Sequence, residues 1–227
     1  MKKRISSIFC LLALAITSMQ AKDYNVKDYG AIGDGKTLDH IAINATIDTC
    51  VAHGGGRVVV PAGTYLCGSI RMKSNVELHL MTGSKILAAP ASMKAYDEAE
   101  EFEGTAYQDG GHTYFKNSLI YAIGANDVSI TGRGMIDGEG LTRRDTEKAG
   151  NLQGGNIGTG DKAIAFKQCR NILIRDVSVY RGGHFGIIVT GCELGTIDNV
   201  IVDTNRDGID IDCCKYLTVS NCKINTP

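Results

Sequence analysis

Over residues 161–227 short apolar runs alternate with polar corners, and the pattern returns three times. Written one under another, the coils are DKAIAFKQCRNILIRDVSVYRGG, HFGIIVTGCELGTIDNVIVDTNR and DGIDIDCCKYLTVSNCKINTP. Cys169, Cys192 and Cys214 fall in one column, 23 and 22 residues apart, and Asp176, Asn199 and Asn221 fall in another. Ile174, Ile197 and Val219 make a third, and Asp161, His184 and Asp207 are expected to make a fourth. A fixed period of this length marks a solenoid, in which each repeat buries its apolar face only against its neighbours. β-Branched runs between polar corners make the repeat unit strands, not helices. The pattern predicts an all-β chain, a right-handed parallel β-helix.

Parallel strands of successive coils lie ~4.8 Å apart, so equivalent residues stack as ladders up the axis. The Ile174 column then faces the core. The Asp/Asn column suits a corner, because short polar side chains bond locally and tolerate left-handed backbone. The cysteine column reads as a stack of small buried hydrophobes, since parallel Cβ vectors do not suit a disulfide dihedral.

Residues 24–89 form an opening module. Residues 25–30 read as a strand and 31–36 as a loop. Thr37 is the expected N-cap of an amphipathic helix over 37–52, with Ile43, Ile47, Cys50 and Val51 on one face. Gly54, Gly55 and Gly56 end it. Such a helix would cover the open first coil, whose bare edge otherwise invites pairing with another chain. Residues 76–80 and 128–130 alternate and read as earlier coils, with His79 a surface or core-satisfied residue in place of a ligand. Residues 90–116 and 139–160 are irregular insertions, and solenoid insertions often wall a binding cleft. The charge run at 97–101 reads as a solvated face.

Residues 1–21 look like a signal peptide, with Lys2, Lys3 and Arg4 before an apolar stretch at 8–16 too short to span a bilayer. A secreted or periplasmic protein is expected, in which disulfides are permitted. Without Cys10, seven of the eight cysteines are left, an odd number; Cys50 and Cys67 are the expected bonded pair. No cysteine/histidine spacing suggests zinc, and Gly33-Asp34-Gly35 lacks the context of a phosphate loop. Residues 22–227 are enough for one domain with a sizeable core. The net charge of −1 gives no drive toward nucleic acid or anionic membranes.

Three stretches carry a resemblance to a family. DYGAIGDGKT leads through the helix to GGGRVVVPAGTYLCGSI, NSLIYAIGANDVSITGRGMIDGEG follows, and Asn205-Arg206-Asp207-Gly208-Ile209-Asp210 comes last. Together they resemble the polygalacturonases, the pectin-cleaving glycoside hydrolases of family 28. The last stretch looks like the family's Asn-Thr-Asp-Gly motif, with Arg206 in place of Thr. The resemblance implies a pectin-lyase-like solenoid that hydrolyses α-1,4-galacturonide bonds with inversion, using three aspartates and no cofactor. Asp207 would belong to the water-activating set, with Asn205 in the substrate site. The family's Asp-Asp pair is expected one coil later, past Pro227, so the chain reads as the N-terminal part of an enzyme and as inactive alone. His184, expected one rung below Asp207, would touch a sugar hydroxyl or carboxylate at a minor subsite. The implied partner is a pectic polysaccharide or oligogalacturonide.

Hydrolysis needs one carboxyl held protonated and a second carboxylate to activate water. Crowded carboxylates on neighbouring rungs would push their pKa values apart and so supply both. Two other classes fit part of the pattern. A pectate-lyase-like elimination would gather Asp207, Asp210 and Asp212 around calcium, with Arg206 as the base. A non-catalytic β-helix would serve as an adhesin or carbohydrate-binding scaffold.

Overall fold

The computed structural model describes residues 22–101, 110–142, 160–204 and 206–227. The leader at 1–21, Asn205 and parts of both insertions (102–109 and 143–159) lie outside the described residues.

Three parallel sheets of seven, seven and five strands wrap around one core. Each coil contributes one strand to each sheet. In the coil that follows Asp161, Lys162–Lys167 joins the third sheet, Arg170–Arg175 the first and Ser178–Tyr180 the second. Every pairing is parallel, and the three columns headed by Cys169, Asp176 and Ile174 stack as the period requires. The chain is therefore a parallel β-helix with one α-helix near its N-terminus.

Inward residues of all three sheets make the core. Ile174 and Ile197 are fully buried, and their column partner Val219 on the last coil is 40 % exposed. Cys169 and Cys192 are buried reduced thiols, and the backbone N–H of each donates to the sulfur one coil on, Cys169 N to Cys192 Sγ at 3.4 Å and Cys192 N to Cys214 Sγ at 3.3 Å. The expected column of small hydrophobes also satisfies corner amides. Asp176, Asn199 and Asn221 hold left-handed backbone at φ 65°, 51° and 54°. Asn199 Nδ2 donates to Asp176 Oδ1 at 2.7 Å, while Asn221 turns to Asp198 Oδ1 at 2.8 Å.

The opening module departs from the expected one in several places, first at Val26–Tyr29, which winds as a 3-10 turn and not as a strand. The helix is His40–Ala52, not 37–52, because Asp34–Leu38 is a strand paired with Gly63–Cys67. Asp34 captures the amides of Lys36 and Thr37, both at 2.8 Å, so Thr37 is held in that strand and Asp39 stands at the N-cap. Asp39 does not cap the helix either: its carboxylate accepts from Ile32 N and Gly33 N and ties down the preceding loop. The buried helix face is Ile43, Thr46, Ile47 and Cys50, with Val51 turned toward solvent. Cys50 and Cys67 are not bonded; both are buried thiols whose pKa is pushed up by desolvation. The helix does lie over the first coil, against Val26–Tyr29, Gly56–Val60 and Ile70–Arg71. It stops where Gly55 takes φ 105°, at a point where an added Cβ would collide with the Asn75 carbonyl.

Candidate functional site

The third sheet runs Ile70–Arg71, Ser118–Ile123, Lys162–Lys167, Phe185–Thr190 and Asp207–Asp212. Its strands face inward at two consecutive positions near the start: Ala163 and Ile164 both join the core, as do their equivalents Gly208 and Ile209 on the last strand. That step puts residues three apart on the same outer face. Asp207 and Asp210 both point outward, and Asp212 follows by alternation.

The outer face carries ladders of chemistry. One is Arg71, Tyr121, Ala165, Ile188 and Asp210; another is Ser118, Lys162, Phe185 and Asp207; a third is Ile123, Lys167, Thr190 and Asp212. Tyr121, Ala165, Phe185 and Ile188 form a small apolar cluster of their own, closed by Phe115 from the first insertion. The described end of that insertion therefore walls this face, as the sequence suggested.

The charge run is a solvated face only in part: Glu98 and Glu101 are exposed, but Asp97 and Glu100 turn to the protein. Asp97 takes a bidentate pair from Arg71 at 2.5 and 2.7 Å and a hydrogen bond from Tyr121 Oη at 2.8 Å. Burial alone would raise the Asp97 carboxyl, but these bonds outweigh it and hold the group below its ordinary value of 3.8. Burial and the Asp97 carboxylate push the Tyr121 hydroxyl well up. Glu100 accepts from the amides of Phe115 and Lys116 and lies 3.4 Å from Lys167 Nζ. These two carboxylates strap the insertion onto the sheet.

Asp207 is exposed, with 55 % of its side chain open to solvent, and Arg206 Nε lies 3.9 Å from its carboxylate. The fourth column slips by one residue. Asp207 stacks on Phe185, which places Arg206 beside His184. The spacing between these coils is 22, as in the cysteine column, so the expected 23-residue step from His184 to Asp207 overshoots. His184 is fully buried and does not occupy the expected external edge. Its Nδ1 accepts from Arg206 Nη1 at 2.7 Å, and its ring meets Phe185 edge-on at 4.5 Å. An imidazole nitrogen that accepts from a guanidinium carries no proton, so His184 is held with its proton on Nε2.

Asp161 lies just before the strand Lys162–Lys167. It is buried and ion-paired to the fully buried Lys162 at 2.5 Å. Asp210 is held by a residue the sequence did not single out, His112, whose Nε2 is 3.1 Å from Asp210 Oδ2 and whose ring packs on Phe185 at 5.0 Å. Nothing in the repeat signals His112, because it lies 98 residues away inside an insertion. Arg206 was missed as the partner of His184, because the expected 23-residue step lands on Asp207; the 22-residue step of the cysteine column would have found it. Asn205 lies outside the described residues. Among the described residues no group of three or more His, Cys, Asp and Glu side chains is arranged to hold a metal ion.

A parallel β-helix with a row of carboxylates on the outer face of one sheet, walled by an insertion, is the architecture of a pectate-lyase-like protein. The chain belongs to the rhamnogalacturonase A/epimerase, pectate lyase-like family, whose profile matches residues 24–226. It is 27 % identical over 256 residues to an exo-poly-α-D-galacturonosidase of Dickeya chrysanthemi, covering 92 % of this chain and 41 % of that protein. Its fold matches the hyperthermoactive exopolygalacturonase of Thermotoga maritima with a TM-score of 0.74 and 27 % identity, over 91 % of this chain and 53 % of that one. It is also 31 % identical to the plasmin and fibronectin-binding protein A of Streptococcus pneumoniae, over 80 % of this chain and 23 % of that protein. The chain thus spans about half or less of the length of these relatives.

Proposed function

We propose that this chain supplies the first coils and one carboxylate of a pectin-degrading glycoside hydrolase that cleaves α-1,4-galacturonide bonds with inversion. The observation that carries the reading is Asp207, exposed at an outward position on the walled face, in a sequence like the Asn-Thr-Asp-Gly motif. In this reading Asp207 orients and activates the attacking water. Its acid partner comes from a carboxyl pair one rung further along, ~4.8 Å away plus lateral offset. Asn205 contacts the sugar beside it, and His184 serves the site through Arg206. Residues 1–21 direct export, so the protein works outside the cytoplasm on a pectic polysaccharide or oligogalacturonide.

The test is an assay on polygalacturonate. Residues 22–227 alone are expected to release no reducing ends, for want of the acid partner. Joined in register to a coil bearing an Asp-Asp pair, the chain should release them in EDTA without ultraviolet-absorbing product, and Asp207→Asn should lower kcat at least about a hundredfold. An unsaturated, EDTA-sensitive product would replace hydrolysis by elimination. An exported mature chain should begin at Lys22; an uncleaved N-terminus in the secreted fraction contradicts the leader. The similarity to the pneumococcal binding protein favours a second reading, a non-catalytic β-helix, and a joined protein that binds polygalacturonate without releasing reducing ends would count for it; full activity of Asp207→Asn would instead remove Asp207 from the chemistry.

A further inference from the structure

A second groove lies away from the walled face, on the outer side of the first sheet. It is an open cavity of about 610 Å³, within the range of about 300–1,000 Å³ usual for small-ligand sites. Its floor crosses Val76–Leu80, Asn126–Gly132 and Arg170–Arg175, three neighbouring strands of the first sheet. Outward residues of these strands line it with Ser129, Thr131 and His79, and Met81 and Leu173 add apolar surface.

The polar part of the groove is pre-ordered. His79 pairs in register with Thr131 across the ladder. Thr131 Oγ1 donates to Glu77 Oε1 at 2.5 Å and lies 2.8 Å from His79 Nδ1. With its one proton given to Glu77, the Thr131 oxygen accepts from His79 Nδ1–H, which fixes the imidazole tautomer. Its two carboxylates are already engaged. Glu77 is held by Thr131 and sits beside Arg57 on the next strand, and Asp176 accepts from Asn199 Nδ2 at 2.7 Å. The two guanidiniums are not matched in this way. Arg175 is ion-paired through Nε with its ladder neighbour Asp198 at 3.6 Å, a longer contact than those of the carboxylates, and Arg133 is exposed and makes no ion pair among the described residues. The groove therefore presents two planar cations with fork-shaped donors, hydroxyls at fixed places and a small apolar floor. Carboxylates are the natural match for such forks, and the hydroxyls and apolar floor suit a sugar ring.

We propose that this groove is a second saccharide site, separate from the Asp207 cleft, which binds a uronate-bearing oligosaccharide through Arg133 and Arg175. Such a site would hold the protein on an acidic polysaccharide while the cleft engages a chain end, raising the local substrate concentration by tethering. The groove and its two arginines stand by themselves; the uronate as its ligand shares its chemistry with the substrate proposed for the cleft.

The test uses the chain itself, with trigalacturonate followed by calorimetry and by amide chemical-shift mapping. Trigalacturonate should shift Ser129, Thr131, Gly132 and Arg133. Its fully methyl-esterified form should bind at least about tenfold more weakly, and so should the unmodified trisaccharide to the Arg133→Gln/Arg175→Gln variant. Both arginines are at the surface, so the variant should keep the parent melting temperature, and a variant that does not is replaced by Arg133→Gln alone. Equal binding of acid and ester, equal binding by the variant, or displacement by inorganic sulfate as effective as by the uronate would overturn the proposal. Shifts confined to the third sheet near Asp207 would overturn it too while supporting the cleft. Shifts confined to the groove would uphold it and count against the cleft.

Discussion

Leu194 and Tyr216 hold left-handed backbone, φ 58° and 55°, in the same ladder as Asp127 and Asn171. Left-handed geometry costs roughly 1–2 kcal/mol for an ordinary side chain, and Asn or Asp reduces that cost by bonding locally. Lower on the same ladder Asn171 Nδ2 already bonds Asp127 Oδ1 at 2.5 Å. Leu194→Asn should therefore stabilise the fold by about 0.5–1 kcal/mol, read as a rightward shift of the urea midpoint at unchanged slope. A lower midpoint would mean that the apolar contacts of Leu194 outweigh its strain. The corner positions themselves were legible, since Asp176, Asn199 and Asn221 announce a repeated left-handed turn. What the sequence hid is a one-residue choice. Asp161, His184 and Asp207 look like a column, but the coil between the last two is 22 residues long, so the partner of His184 is Arg206. A single residue of slip gives the buried imidazole a guanidinium neighbour in place of a carboxylate, and residue types alone do not flag it.

At the scale of elements, the first insertion is fixed by carboxylates that a charge run disguises. Asp97 joins Arg71 on a short strand to Tyr121 on its neighbour, and Glu100 gathers Phe115, Lys116 and Lys167. The Asp97 carboxyl is held below its ordinary value of 3.8 in the fold. A depressed carboxyl adds stability that is complete above the unfolded value and is lost as pH falls through the folded one. Stability should hold from neutrality down to about pH 4 and decline below it, and Asp97→Asn should flatten that decline while lowering stability at pH 7. Denaturant titrations across that range check it; an unchanged acid slope in the variant would remove Asp97 from the strap. The strands of the repeat were plain in the sequence because period and alternation agree. The insertion contacts were not, since Glu100 to Lys167 and His112 to Asp210 join residues 67 and 98 apart. The helix start was misplaced by three residues because Asp34 takes the amides that would have freed Thr37 to cap.

Across the whole molecule the solenoid sorts its surface by sheet. The second sheet and the helix serve structure, the first sheet bears a groove with two arginines, and the third bears the row Asp207, Asp210 and Asp212. On the last coil, Ile211, Val219 and Ile224 are 45, 40 and 50 % exposed, unlike the buried inward residues below them. The proposed function places the bound polysaccharide on the third sheet, where Asp207 and the walled face lie together. The most direct measurement is a crystal structure of the chain with trigalacturonate. Sugar rings are predicted along the outer face of the third sheet, within hydrogen-bond reach of Asp207 and under the segment that carries His112. A saturated crystal in which that face stays empty would contradict the account.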